Sequence, residues 1–103
     1  MPPIWKHVTV GTSPILLLGA QKDRIELALY NLSSNLVYWD HHPTVSSSTG
    51  GPMTQYQGYI LLEADGDMVH EPIYCVSAFA GNIVAVYEVI GQRASWQKLW
   101  DMR

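Results

Sequence analysis

The chain has 103 residues and a mass of 11.5 kDa, a size typical of one domain with one hydrophobic core. Hydrophobic residues make up 48% of it and charged residues only 15%, a composition that excludes a disordered chain. The net charge of −3 excludes attraction to nucleic acid by overall charge. The single cysteine, Cys75, excludes an internal disulfide. We expect no membrane partner, because no apolar run approaches the roughly 18 residues of a membrane helix.

Short runs rich in Val, Ile, Tyr and Trp alternate with turn-forming segments along most of the chain, and such runs suit a pleated sheet. The predicted strands lie, in chain order, near 5–10, 14–18, 24–32, 36–41, 56–63, 73–79 and 82–90. Alternation supports the third of them, because Ile25, Leu27 and Leu29 would share one face. The pattern predicts an all-β fold, a single β-sandwich or jelly-roll-like domain of about seven strands.

Turn chemistry separates these predicted strands. The polar segment 31–35 is short and favours a hairpin between the third and fourth strands. The longest irregular stretch is 43–53, which is rich in Ser and Gly. We assign residues 1–92 to the β-sandwich domain and residues 93–103 to a C-terminal arm.

The arm, RASWQKLWDMR, differs from the rest of the chain. Its residues Trp96, Leu99 and Trp100 follow the spacing of a short amphipathic helix, or of an arm with large apolar anchors. Two interpretations stay open, because these residues could cover the protein's own core or bind a neighbouring chain, where Trp is enriched at hot spots. We name them, together with Trp5 near the other terminus, as candidates for partner contact.

Charge is unevenly distributed along the chain. Asp40 is the only formal charge between Leu27 and Leu62, and there is none between Pro72 and Tyr87. The solvent face of a small sandwich normally carries charges, whereas the core of a protein interface loses charge and gains aromatic residues. The pattern favours assembly contacts over a merely apolar monomer surface.

The candidate catalytic and metal-binding residues form no recognisable constellation. Asp40, His41, His42 and His70 could belong to a cupin-like metalloenzyme, but adjacent histidines on a strand point to opposite faces, and the required spacing with Glu is absent. Cys75 lies in an apolar strand, where a buried and inert thiol is typical. We predict no enzyme activity, no catalytic residues, no metal and no cofactor.

Exposed aromatic residues keep a second functional class open. A carbohydrate-binding β-sandwich, of the tail-fibre or receptor-binding type, would stack sugars on such rings. The candidates for that role are Trp5, Tyr30, Tyr38, Trp39, Tyr56 and Tyr59.

An ordered series of segments runs from Ile15 to Gly91 and covers about three-quarters of the chain. The segments are LLLGAQKDR (16–24), IELALYNLSS (25–34), LVYWD (36–40), TVSSSTGGPM (44–53), IYCVSA (73–78) and NIVAVYEV (82–89). In this order they resemble small virion proteins of tailed bacteriophages. The DHHPT segment (40–44) and the Trp-bearing arm depart from the pattern.

The resemblance implies a β-sandwich without known catalysis that serves as a capsid decoration or cement protein, or as a head or tail accessory subunit. Such proteins are often trimers. For this chain it implies a virion location at the capsid surface, with the major capsid protein and two further copies of the chain, as a homotrimer, as partners.

Overall fold

The computed structural model describes residues 5–91, so the predicted arm and its residues Trp96, Leu99 and Trp100 lie outside the described residues. The eight strands are β1 (Lys6–Val10), β2 (Ile15–Leu18), β3 (Arg24–Asn31), β4 (Val37–Asp40), β5 (Gly51–Met53), β6 (Gly58–Leu62), β7 (Ile73–Ser77) and β8 (Asn82–Ile90). Two short 3₁₀ turns, Glu63–Asp65 and Asp67–His70, follow β6. Among the described residues no helix is long and apolar enough to cross a membrane.

The strands form two antiparallel sheets of four. The first sheet has the order β1-β8-β3-β6 and the second has the order β2-β7-β4-β5. The chain thus pairs β1 with β8, β2 with β7, β3 with β6 and β4 with β5, as a long hairpin does when it is rolled into the two sheets of a jelly roll. The predicted all-β sandwich class is confirmed.

All seven predicted strands are present, and their bounds agree with the prediction to within two residues. The strand that the sequence did not predict is β5, which lies in the segment interpreted as irregular. It has three residues, two of which are Gly51 and Pro52, and neither residue type favours a strand. Pairing with β4 nevertheless places Met53 opposite Val37, and both side chains are buried.

The predicted hairpin at 31–35 is wrong. The strands on either side of it belong to different sheets, so the segment carries the chain across the sandwich. The buried Asn31 side chain stabilises this crossing, because its amide donates to the carbonyls of Asn35 and Met53, both at 2.9 Å. Its Oδ1 accepts the backbone N–H of Ser33 at 2.9 Å.

The hydrophobic core lies between the two sheets and is built mainly from alternate strand positions. Full burial of one such aliphatic side chain stabilises the fold by about 1.5–3 kcal/mol. The core residues are Val10, Leu17, Leu18, Leu27, Leu29, Val37, Met53, Val69, Ile73, Cys75, Val84 and Val86.

One charged side chain, that of Arg24, is buried at the start of β3, where its residue is only 1% exposed. Its Nε donates to a carboxylate oxygen of Glu88 at 2.7 Å. Its other nitrogens donate to the carbonyls of Gly19 at 2.6 Å, Val69 at 3.0 Å and Glu71 at 3.2 Å. The guanidinium therefore ties β3 and β8 to the segment before β3 and to the end of the second 3₁₀ turn.

Candidate functional site

The outer face of the first sheet carries a depression lined by aromatic and small side chains. Three outward positions there are small, namely Ala28 on β3, Ala85 on β8 and Gly58 on β6. Larger side chains stand beside each of them, because the register pairs small residues with large ones across neighbouring strands. We call this surface the aromatic groove, formed by Trp5, Ala28, Tyr30, Gly58, Ile60, Ala85 and Tyr87.

Trp5, one of the predicted partner-contact residues, directly precedes β1 and forms a wall of the groove. Its ring meets that of Tyr87 edge to face, with centroids 4.7 Å apart and an angle of 83° between the planes. The residue remains about half exposed, at 47%, and so can meet a partner. Its contact with a partner stays a prediction.

The groove contains two adjoining depressions that share Trp5 and Tyr30 in their linings. One has a volume of about 350 Å³ and also involves His7 and Leu32, and the other has a volume of about 310 Å³ and also involves Ile60. Both are at the small end of the range of ligand pockets, and each suits one aromatic side chain. Because the linings are predominantly carbon, an apolar group is the best complement.

The polar groups of the groove are few and partly engaged. The Tyr87 hydroxyl donates to a carboxylate oxygen of Glu26 at 2.5 Å. That hydrogen bond, together with partial desolvation and the negative charge of Glu26, raises the pKa of Tyr87. Among the outward positions of the described strands of this sheet, Glu26 is the one formal charge.

A turn between β5 and β6 presents a further ring beside the groove. Tyr56 is exposed and has a φ of 60°, which is uncommon for a bulky residue. Its N–H donates to the carbonyl of Asn31 at 2.7 Å, and its ring stacks on Tyr30 with centroids 6.4 Å apart. The backbone conformation of this turn therefore holds Tyr56 against the groove.

Glycine is required at position 58 by the close approach of β6 to β3. A Cβ atom there would lie 2.3 Å from the carbonyl oxygen of Leu29 and 3.0 Å from the ring of Tyr30. The first distance is far below a van der Waals contact with backbone that cannot easily move. Gly58 thus permits both the pairing of β6 and the depth of the groove.

The outer face of the second sheet is also poor in charge. Asp40 carries the one formal charge among its described outward positions, and its Oδ1 accepts the N–H of His41 at 2.7 Å. The outward positions of this sheet are Leu16, Tyr38, Asp40, Pro52, Tyr74 and Val76. The charge-poor stretches of the sequence therefore fall on both outer faces of the sandwich.

The histidines do not converge on a common centre. The Nδ1 of His41 lies 3.1 Å from the carbonyl oxygen of Pro72, whereas the Nε2 of His70 lies 3.5 Å from a carboxylate oxygen of Glu63. Within residues 5–91 no group of three His, Cys, Asp or Glu side chains is placed to hold a metal ion. The described geometry gives no support to the cupin-like alternative.

Two aromatic residues considered for sugar stacking are directed to the interior instead. Trp39 and Tyr59 pack against the core, with ring centroids 5.3 Å apart. Cys75 is buried among them as expected, and desolvation raises the pKa of its thiol to about 12. These side chains stabilise the fold and leave the outer rings as candidates for binding.

The sequence analysis identified Trp5, Tyr30 and Tyr56 as surface candidates but missed Ile60 and Tyr87. Alternation did indicate which residues of each strand share a face. It carried no information on which strands are neighbours, and the groove exists only because β3 lies between β6 and β8.

Comparisons with protein-family models, with curated proteins and with solved structures find no match to this chain. The class of protein is therefore defined by the fold alone, as a jelly-roll sandwich with charge-poor outer faces. The virion role implied by the ordered segments remains a prediction that rests on sequence resemblance.

Proposed function

We propose that the protein is a non-catalytic structural protein of a tailed-bacteriophage virion, a capsid decoration or cement protein that binds the shell of major capsid protein. Its jelly-roll topology supports the proposal, since this architecture recurs in viral capsid domains. The same architecture also occurs in lectins and cupins, so the argument needs features of the surface as well as the fold.

The observation that carries the proposal is the pair of charge-poor outer faces. An antiparallel sandwich that meets water on both sides normally has polar outward positions. Here the outward positions of the described strands carry a single carboxylate on each face, Glu26 on the first sheet and Asp40 on the second. Two opposite charge-poor faces suit a subunit that is in contact with neighbours on more than one side.

The mechanism is mechanical. Each copy would bridge neighbouring capsid subunits and stabilise them by burying apolar area, at about 25 cal/mol per Å² before the cost of association is subtracted. A shell repeats the contact many times, so weak individual contacts add up to avid attachment.

The test is co-sedimentation with shells assembled from the major capsid protein of the phage that encodes the chain. We expect the wild-type protein to pellet with the shells and to saturate at a fixed ratio to the capsid subunits. Leu16→Lys, on the exposed outer face of the second sheet, should weaken attachment at least about tenfold, because a lysine desolvated at an apolar contact costs more than about 1.4 kcal/mol.

Met68→Lys is the matched control. Met68 is 57% exposed and lies on a 3₁₀ turn outside the strands of both sheets, so the substitution adds the same charge without changing an outward strand position. Attachment of Met68→Lys should equal that of the wild type. A wild-type protein that stays in the supernatant, or a Leu16→Lys variant that pellets normally, would contradict the proposal.

Carbohydrate binding is the second candidate, and the exposed Tyr56 favours it. Its left-handed backbone conformation costs free energy, and strain of this kind is often found at functional sites. A glycan array tests the idea directly, since binding that Tyr56→Ala abolishes would support a lectin role. An array without any ligand would exclude the sugars tested and leave the structural proposal in place.

A further inference from the structure

The aromatic groove has room for two large apolar groups. Its two depressions, of about 350 and 310 Å³, adjoin each other and share the rings of Trp5 and Tyr30. The lining offers few hydrogen-bonding groups, and the Tyr87 hydroxyl already donates to Glu26. Aromatic side chains of a peptide therefore complement the groove better than a sugar with many hydroxyl groups does.

The chain itself contains a segment with this chemistry. Residues 92–103 include two tryptophans, Trp96 and Trp100, with Leu99 beside the second. The segment has three basic residues and one acidic residue, a formal charge of +2, whereas residues 5–91 have three basic and eight acidic residues, a formal charge of −5. The two parts of the chain are thus complementary in charge as well as in apolar character.

The distance that residues 92–103 can span distinguishes binding in the chain's own groove from binding in that of a neighbouring copy. The N–H of Gly91 donates to the carbonyl of Asp23 at 2.6 Å, so the chain leaves the sheet in the direction of β8. Tyr87 lies about 13 Å back along that strand, at about 3.3 Å per residue. A reversal takes about four residues. Trp96, the fifth residue after Gly91, would then fall short of its own groove, whereas Trp100, the ninth, could reach it, so one chain could not place both tryptophans in its own groove.

A neighbouring copy imposes no such reversal. The twelve residues after Gly91 can span up to about 40 Å when extended, which is enough to cross an interface and to place both tryptophans. Each copy would then insert its own segment into the groove of one neighbour and bind the segment of another neighbour in its own groove. A head-to-tail contact of this kind closes into a ring when the rotation permits.

We infer that the aromatic groove is the binding site for residues 93–103 of a second copy of this chain, with Trp96 and Trp100 as its anchors. This inference deepens the proposed function and rests on it in one respect, since it supplies the self-association expected of a decoration protein. The contact itself forms without a shell, so it can be tested separately.

The experiment is native mass spectrometry of the full-length protein over a concentration series, without shells. We expect the wild type to form a closed oligomer and two variants to be monomeric, each with a dissociation constant raised at least about 30-fold. The arm variant carries Trp96→Ala and Trp100→Ala. The groove variant is Ile60→Lys, with Ile60→Ser in its place if the lysine variant fails to fold.

Met68→Lys is again the control, because Met68 and Ile60 are similarly exposed, at 57% and 61%, and only Ile60 lines the groove. Circular-dichroism melts establish that each variant is folded. Mixing the arm variant with the groove variant should restore a heterodimer, since the pair retains one intact arm and one intact groove.

A wild type that is monomeric throughout the series overturns the inference, and so does an oligomer that survives in either variant or a mixture that stays monomeric. Failure of shell binding by a protein that forms the expected oligomer would refute the virion role alone. Shell binding by a monomeric wild type would refute the arm–groove contact alone.

Discussion

The buried guanidinium of Arg24 makes the sharpest prediction about stability. Arg24→Met keeps much of the side-chain length but removes the charge and every donor, so the carbonyls of Gly19, Val69 and Glu71 lose their side-chain partner. Each hydrogen bond to a charged group contributes about 1.5–3 kcal/mol, but these bonds are not additive because one group makes them all.

The loss in the free energy of unfolding depends on how well water solvates the carboxylate of Glu88 once Arg24 is removed. Its side chain is 34% exposed, so water can solvate the unpaired carboxylate, and the penalty falls below that of a fully buried orphan charge. We therefore expect the lower part of the range for a broken buried pair, a loss of about 3 kcal/mol in the free energy of unfolding. For a domain of this size that corresponds to a fall in Tm of about 12–24 °C.

Urea denaturation followed by tryptophan fluorescence measures the change. Lys22→Met is the matched control, because Lys22 lies two residues away and is exposed, and it should stay within about 0.5 kcal/mol of the wild type. Glu88→Gln should also destabilise the fold, because it leaves the guanidinium of Arg24, which is 1% exposed, without its counter-charge although the three carbonyl partners remain. An Arg24→Met variant within about 1 kcal/mol of the wild type would refute the assigned role.

Two further predictions concern backbone spacing and pH. Gly58→Ala should destabilise the fold by about 2 kcal/mol in urea melts, because its Cβ would lie 2.3 Å from the carbonyl oxygen of Leu29, whereas Gly11→Ala meets nothing within 4 Å and should be neutral. Equal free energies of unfolding for Gly58→Ala and Gly11→Ala would contradict the packing argument. Burial raises the pKa of the Cys75 thiol from 9.0 to about 12. The unfolded chain therefore loses this proton at a lower pH than the folded chain does. The free energy of unfolding should be unaffected by the thiol below pH 9 and should fall by up to about 1.4 kcal/mol per pH unit as the pH rises toward 12. Cys75→Ala should therefore show a flatter decline of unfolding free energy above pH 9, and parallel pH profiles would refute this.

Local patterns in the sequence were sufficient to predict the strands and much of the core. The alternation of Leu27 and Leu29 with Glu26 and Ala28 indicated which side chains of β3 face inward, and the structure buries both leucines. Period-two alternation survives in the fold because one face of the sheet is covered and the other is not. The absence of charge from long stretches likewise indicated unusual outer faces before any strand was paired.

Interactions distant in sequence account for what was missed. Segment 31–35 has the composition of a hairpin, yet it crosses between the sheets because Asn31 finds buried partners at Asn35 and Met53. The short strand β5 forms only because its backbone pairs with that of β4. The buried ion pair of Arg24 was not predicted, since its partner Glu88 lies 64 positions away in the sequence.

The class of fold, the positions of seven strands and the scarcity of charge on the outer faces follow from residue type and local spacing, so they could be predicted without a structure. The assembly of Trp5, Tyr30, Ile60 and Tyr87 into one groove depends on the order of the strands in the sheet. Their strands are neighbours through pairings that join distant parts of the chain, and no local pattern specifies which strand lies beside which.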